Sequence, residues 1–500
     1  MDGKKLKKRM AYGALGLLSL AVFAPKSSFA IPSFARQTGL ACDVCHTVFP
    51  HLTPFGREFK LHGYTYDYSA LIKMVRDAAK KRAAEEGGMP DLVINKIPMV
   101  SVRIAGVWAN QDGGSIVPHG QITDGQNAFS QPAGYPTNDT FNLVKDDSLY
   151  IAGEITPHLG AWVEIGGWND NGNAATLAGY DAILNGGDHT IDNKNFTYGL
   201  SFENVVGFDD VGQAGPGNWG VPLMNPLSTH NTLFDPFNGT PIEGVEAYAM
   251  LGDFTHGGIY GNIGLYAPST GNDEESPPAP TVGNLTGLYG KTNSDGNTIN
   301  GSGYTWQGAK HVDAYVNVEY WLPAFKNIYS MVGAFGYFGQ EKMEGGTNPP
   351  EYTDNVNDYG LEAQAQYIGG KNLVEFFGEV QKQHDSEFYG TDWWTGTSYS
   401  TNGTSVNRTG IALKADYYYD RTYGIYVKYM YANSSQVQDL DYSGYILGVS
   451  WYPWQNVNVR VERMMWSKYH PGQAYYYQLH GVKPSASDFD VTAVKVEYLF

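Results

Sequence analysis

Cysteine is almost absent: a chain of 500 residues has two, and both stand in Cys42-Asp43-Val44-Cys45-His46. That excludes a disulfide framework and commits both thiols to one local device. Basic residues are scarce as well. Lys and Arg total 33 against 51 Asp and Glu, a net charge of −18, so the chain repels nucleic acid and no such partner is expected. Beyond the N-terminus there are no long apolar runs. This excludes spanning helices there but not spanning strands, whose alternation averages to a hydrophilic mean. Abundant instead are glycine and tyrosine, 61 and 37 residues, which suits many strands joined by polar loops.

The one apolar run, Ala11 to Ala24, follows Lys4, Lys5, Lys7, Lys8 and Arg9 and precedes Ser28-Phe29-Ala30. That order predicts a secretory signal peptide over 1–30 and a mature chain from about Ile31, since the run is shorter than the roughly 20 residues of a spanning helix. Its removal leaves 27 basic and 50 acidic residues, a net of −23.

In an exported chain, C-x-x-C-H predicts attachment of one c-type haem. Cys42 and Cys45 each add to a vinyl group, and His46 becomes the proximal iron ligand. A thioredoxin-like dithiol wants a βαβ context, and structural zinc wants further thiolates; the sequence offers neither. For the other face of the iron, nearby residues include His51, His62 and Met74, with Met99 where the first strand begins; His62 and Met99 are the leading distal candidates. A helix is expected from about Ser69 to Glu86, with Leu71, Met74 and Val75 at helical spacing and Gly87-Gly88 at its end. Together these features predict a small α-helical monohaem cytochrome c domain over residues 31–95.

From 96 to 500 the expectation is an all-β transmembrane antiparallel β-barrel. Val312, Ala314, Val316, Val318 and Tyr320 share one face of a strand, opposite Asp313, Tyr315, Asn317 and Glu319. Leu361, Ala363, Ala365 and Tyr367 alternate with Glu362, Gln364 and Gln366, and Val457, Val459 and Val461 with Asn458, Arg460 and Glu462. One face suits lipid and the other water. About fifteen strands can be placed, from one near 97–109 to one near 490–500. Even strand numbers are the rule, so sixteen are expected, the last between 204 and 244. Trp321, Trp451, Tyr452 and Trp454 lie near Pro323 and Pro453 and read as an interfacial aromatic girdle. Val494, Val496, Tyr498 and the terminal Phe500 share one face of the last strand. Short turns at 156–160, 252–256, 322–326, 368–372, 419–422 and 453–456 are expected on the periplasmic side. The long segments 110–144, 169–195, 268–311, 341–357, 385–406 and 467–489 should face outward.

The run Ile31-Pro32-Ser33-Phe34-Ala35-Arg36-Gln37-Thr38-Gly39, the C-x-x-C-H motif, Phe49-Pro50, Leu52-Thr53-Pro54-Phe55-Gly56-Arg57, Phe59-Lys60-Leu61 and Gly63-Tyr64-Thr65 resemble the fused monohaem cytochrome–porins of the bacterial outer membrane, best known as iron oxidases. Pro98-Met99-Val100, Tyr198-Gly199-Leu200-Ser201, Trp219-Gly220-Val221-Pro222 and Gly244-Val245-Glu246-Ala247-Tyr248-Ala249 resemble stations of the family's barrel. The resemblance implies a haem domain in or under a sixteen-stranded barrel, passing electrons from extracellular Fe(II) to a periplasmic c-type cytochrome. It assigns attachment to Cys42 and Cys45 and proximal ligation to His46. The chain departs from the family pattern at His51 and His62, where a carboxylate and a non-histidine residue are expected, and in the charged helix before Met99.

Haem motif, barrel and resemblance point to an outer-membrane electron conduit with one haem c, in contact with membrane lipid, an external donor such as Fe(II) and a periplasmic acceptor. Outward electron delivery and a transport porin with a haem plug are the alternatives. A compact domain of about 65 residues is ~28 Å across, and the backbone of a sixteen-stranded barrel is ~30 Å across, so the plug is expected to enter only in part. Acidic loop residues such as Asp273, Glu274 and Glu275 read as ordinary solvation rather than a cation site.

Overall fold

In a computed structural model of the chain, the described residues are 32–48, 51–65, 99–111, 140–142, 148–166, 176–203, 242–268, 312–343, 352–388, 391–392, 395–398, 403–438, 441–454, 456–470, 473 and 484–499. The expected helix over 69–86 with Met74, the acidic residues 273–275 and Phe500 lie outside them.

Sixteen antiparallel strands close into one barrel. They are β1 (Val100–Gln111), β2 (Ser148–Thr156), β3 (Leu159–Gly166), β4 (Thr176–Ile191), β5 (Lys194–Glu203), β6 (Ile242–Asp253), β7 (Gly257–Pro268) and β8 (Asp313–Phe325). Then come β9 (Ile328–Met343), β10 (Tyr352–Gly369), β11 (Asn372–Phe388), β12 (Thr404–Tyr419), β13 (Tyr423–Ser434), β14 (Tyr442–Trp454), β15 (Val457–Tyr469) and β16 (Val491–Leu499). Each strand pairs with the next. Closure comes where β1 meets β16, from Arg103↔Leu499 to Gln111↔Val491, while the other edge of β1 takes β2 from Val100↔Ile151 to Arg103↔Ser148. A short piece, Thr140–Asn142, continues that second edge at Val107–Ala109. A closed ladder satisfies every strand's backbone groups, the condition for a sheet to stand in lipid.

The period-two pattern decides which face points where. On β8, Asp313, Tyr315, Asn317 and Glu319 are buried toward the lumen while Val316, Val318 and Tyr320 are exposed outside. On β10, Glu362, Gln364 and Gln366 face in and Leu361 and Tyr367 face out. On β15, Asn458, Arg460 and Glu462 face in, and on β16 Lys495 and Glu497 do. The outward side is a continuous apolar surface, so the molecule is a transmembrane barrel of the outer-membrane kind.

Two expectations are corrected. The sixteenth strand is β4, inside the segment read as the outward loop 169–195, and not between 204 and 244; β5 pairs directly with β6 from Phe196↔Leu251 to Glu203↔Gly244. Its residues Asn185-Gly186-Gly187-Asp188 look like loop residues but form a bulge within the strand, with Gly187 at φ 98° and the register shifting between Asn185 and Asp188. A two-residue turn, Asp192-Asn193, then carries both residues at positive φ, 47° and 63°, as a type I′ hairpin requires. The second correction concerns the girdle. Trp321 and Tyr452 are buried on the lumen face, whereas Trp451 keeps the outward side of β14 as expected, and further outward aromatics at that end include Tyr320, Phe325, Tyr367, Tyr417, Tyr419 and Tyr423. A strand position one residue off selects the opposite face.

Residues 32–65 form three short helices, α1 (Pro32–Thr38), α2 (Cys42–Cys45) and α3 (Pro54–Leu61), seated in the lumen at the short-turn end. Pro54 opens α3 with its φ already helical, and the Thr53 hydroxyl caps it by accepting from Gly56 N–H at 3.0 Å. The helix stops at His62 and Gly63, the glycine at φ 66°. At that stop the plug meets the wall backbone to backbone. A Cβ on Gly63 would stand 2.7 Å from Ile183 O, and one on Gly160 only 2.1 Å from Gly63 O, so glycine is required on both sides. Leu40, Val48, Phe59, Leu61 and Tyr64 share one hydrophobic core with the wall residues Trp162, Ile183, Tyr248, Trp321 and Tyr418. Plug and barrel are thus packed as one body at this end.

Candidate functional site

The C-x-x-C-H residues make a single helical turn. The backbone N–H of His46 donates to Cys42 O at 2.9 Å, and His46 itself is extended at φ −120° and ψ 139°. Thr53 secures the open end of the turn, its N–H donating to Cys45 O at 2.9 Å and its hydroxyl to Val44 O at 2.6 Å. Helix α3 then lies directly on the turn, because a Cβ on Gly56 would come within 2.0 Å of Cys45 O. Neither cysteine is in a disulfide. Burial, reinforced by Cys42 and Asp43, pushes the Cys45 thiol up to about 12, which argues against a reactive thiolate of the dithiol-redox kind. Cys45 and His46 are half-buried. Two thiols and one imidazole on a single rigid turn are a donor set that fits c-type haem.

The barrel clasps the chain just beyond that turn. Just after the turn, Thr47 N–H donates to His51 O at 3.0 Å, and His46 forms a bridge with Leu52. Glu375 on β11 meets these residues from the wall: Oε1 accepts from the Thr47 hydroxyl at 2.6 Å and from Gln366 Nε2 at 2.7 Å, and Oε2 lies 2.7 Å from His51 Nδ1. Gln366 also donates to Leu52 O at 3.2 Å. On the other side of His51, Nε2 is 3.0 Å from Lys414 Nζ, which is 2.9 Å from Asp416. An ammonium only donates, so Nε2 accepts and the Nδ1–H donates to Glu375. His51, Glu375 and Asp416 together have the look of a metal site, but the Lys414 ammonium stands among them and supplies the positive charge.

The sequence suggests His51 and His62 as residues near the iron. Both have their ring nitrogens engaged elsewhere. His62 Nδ1 is 2.6 Å from Glu58 O, and Nε2 is 2.9 Å from Asp188 Oδ1 in the β4 bulge, so the bulge that hides β4 also presents an anchor for the plug. To ligate iron, His62 would have to give up one of these contacts. Met99 is half-buried before β1, and its methyl lies 2.6 Å from the place a Cβ on Gly153 would take, alongside Gln37. The structure brings Cys42, Cys45 and His46 together on one turn, while His62 is held by Glu58 O and Asp188 and Met99 lies beside Gly153 and Gln37.

Arg57 is a residue that the sequence pattern does not single out. It is fully buried, its Nη2 donating to Gln364 Oε1 at 3.0 Å and Gln366 Oε1 at 2.8 Å, with the guanidinium 4.6 Å over the Trp321 ring. Burial lowers it to about 10, against the pull of Glu319 and Glu375, so it is still a cation at neutral pH. Its only sequence signal is a cation on a short helix amid apolar residues. Further ties are Asp43 to Arg421, 3.2 Å, Tyr64 to Asp181, 2.6 Å, Gln37 to Ala152 O, 2.7 Å, and Ser33 N–H to the Ser101 hydroxyl, 2.9 Å.

No family model and no curated protein matches the chain. Among solved structures, the outer-membrane expressed OmpT of Vibrio cholerae is similar with a TM-score of 0.39 and 10% identity, covering 80% of this chain and 97% of that one. A porin structure gives 0.38 and 11%, covering 80% and 99%. The likeness is one of barrel architecture, and nothing about cargo or chemistry follows from it.

Proposed function

We propose that this chain is an outer-membrane electron conduit, in which one haem c held by Cys42, Cys45 and His46 takes electrons from an external donor, Fe(II) above all, and passes them to a periplasmic c-type cytochrome. The observation that carries this reading is that the C-x-x-C-H turn is hydrogen-bonded into the barrel lumen rather than tethered beside it. An insulating membrane separates an external donor from the periplasm, and a redox turn set inside a closed barrel shortens the gap that remains. When bound, the haem supplies one-electron exchange, which suits a donor that gives up a single electron. The chain's part is to hold and orient: Thr53 and Gly56 fix the turn, Glu375 and Gln366 fix the segment after it, and Arg57, Tyr64 and His62 fix the plug to the wall. The shared core of residues 32–65 with the strands favours a seated conduit over a plug that leaves to admit solute.

A covalent haem band on a denaturing gel that vanishes in Cys42→Ala/Cys45→Ala is the first requirement. Purified protein in detergent should then have its haem reduced by Fe(II) at a pH where iron stays soluble. A haem that responds to dithionite but stays oxidised with Fe(II) defeats the iron reading. Potentiometric titration separates inward from outward flow, because a strongly negative midpoint belongs to outward delivery.

A further inference from the structure

We infer that Glu375, a wall residue 329 positions beyond His46, is a positioning residue for the proximal side of the haem site and sets its reduction potential; this rests on the reading above that His46 ligates a haem. The observations are geometric. Both carboxylate oxygens of Glu375 are spent on the segment after His46: Oε1 on the Thr47 hydroxyl at 2.6 Å, Oε2 on His51 Nδ1 at 2.7 Å. Thr47 is joined covalently to His46, and the bridge between His46 and Leu52 closes the same small loop. Gln366, which donates to both Glu375 Oε1 and Leu52 O, ties the loop's far end to the same carboxylate. Glu375, His51 and Thr47 are all buried. Thr47 and His51 therefore cannot move without breaking hydrogen bonds between buried groups, and the imidazole next to Thr47 inherits that rigidity.

The charge matters as well as the geometry. The groups facing the loop from the wall are Glu375 on β11 and Lys414 and Asp416 on β12, with Gln366 on β10 and neutral His51 between them. Lys414 is compensated by Asp416 at 2.9 Å, and the buried Arg57, which reaches Glu375 through Gln366, offsets only part of its charge; Glu375 is the carboxylate hydrogen-bonded to the segment beside the iron ligand. A fixed anion there stabilises the ferric over the ferrous state, which lowers the midpoint. Its two hydrogen bonds to the plug make the barrel a working part of the redox centre, not only its container.

Two substitutions should act with opposite sign. Glu375→Gln removes the charge, so the midpoint rises. Thr47→Val removes one of the three donors that share that charge, leaving it to Gln366 and His51 alone, so the anion is less neutralised and the midpoint falls. Both are read by potentiometric titration of the purified full-length protein, with the ferric haem's electron paramagnetic resonance spectrum as a second readout of imidazole orientation. Glu375→Gln should also broaden or shift that spectrum, and Glu375→Asp, which keeps the charge on a shorter stem, should move the spectrum more than the midpoint. A general loosening of the plug would move Glu375→Gln and Thr47→Val in the same direction, and that result, or unchanged midpoints and spectra in folded, haem-loaded variants, overturns the inference. Absence of covalent haem from the unsubstituted protein instead overturns the reading beneath it, so the two failures are distinguishable.

Discussion

Replacing Arg57 with alanine tests the seating of the plug most directly. The truncation leaves Gln364 Oε1 and Gln366 Oε1 buried without the donor that lies 3.0 and 2.8 Å from them, at about 1–3 kcal/mol for each unsatisfied acceptor. It also removes a guanidinium stacked 4.6 Å over Trp321, worth about 0.5–2 kcal/mol. Allowing for partial overlap, the sum is about 3–5 kcal/mol, all of it lost from the contact between α3 and the wall. At ~1.4 kcal/mol per tenfold, opening of the plug should become about a hundred-fold to a few thousand-fold more frequent. Hydrogen exchange measured by mass spectrometry in detergent reads this at peptides covering 51–65, with β12 to β15 as the internal control. Arg57→Lys should fall between, since it keeps the charge and loses the planar fork that serves two amides at once. Exchange at 51–65 within about threefold of the parent protein would refute the claim that this side chain holds the plug.

Gly56→Ala places a Cβ 2.0 Å from Cys45 O, a backbone atom that cannot swing aside; covalent haem per barrel should drop severalfold on a peroxidase-stained gel while the barrel still assembles. Burial raises the Glu58 carboxyl to about 7, with Asp253 adding to the rise and His62 opposing it. Because the folded state then holds the proton more tightly than the unfolded one, plug seating weakens as pH climbs from about 4.5 to 7 and is flat on either side, by at most ~3 kcal/mol and by less given that a quarter of the side chain is exposed. Exchange at 54–62 compared at pH 5 and pH 8, with Glu58→Gln as the variant that should abolish the difference, checks the sign. His62→Ala should leave the visible haem spectrum unchanged and loosen the plug, since the ring is occupied by Glu58 O and Asp188; a spectral change to high spin would restore it as the distal ligand.

The barrel was legible because lipid and lumen impose a strict period of two: Val316, Val318 and Tyr320 announce one face as plainly as Asn317 and Glu319 announce the other. β4 was not, because its bulge is built from Asn185, Gly186, Gly187 and Asp188, residues that locally specify a turn and acquire strand pairing only from β3 and β5. Trp321 misled for a related reason. Proximity to Pro323 suggested the membrane interface, but the face it occupies is fixed by parity, and its partner Arg57 lies far away in sequence. The three residues of C-x-x-C-H stand out in the sequence because they are contiguous, and the structure places them on one turn. Their setting could not, since Glu375 meets Thr47 across 328 positions and Asp188 meets His62 across 126. Polar lumen residues carry no mark that says whether they face water or another part of the chain.

Cys42 is 3% exposed beneath the plug's own core. A thiol so enclosed offers an attaching enzyme no approach in the seated state, so the haem attachment proposed above is expected to precede the seating of residues 32–65 against the wall. A Cys42→Ala/Cys45→Ala variant should therefore still assemble a barrel with its plug in place, without colour, because the contacts that seat residues 32–65 do not use the two thiols.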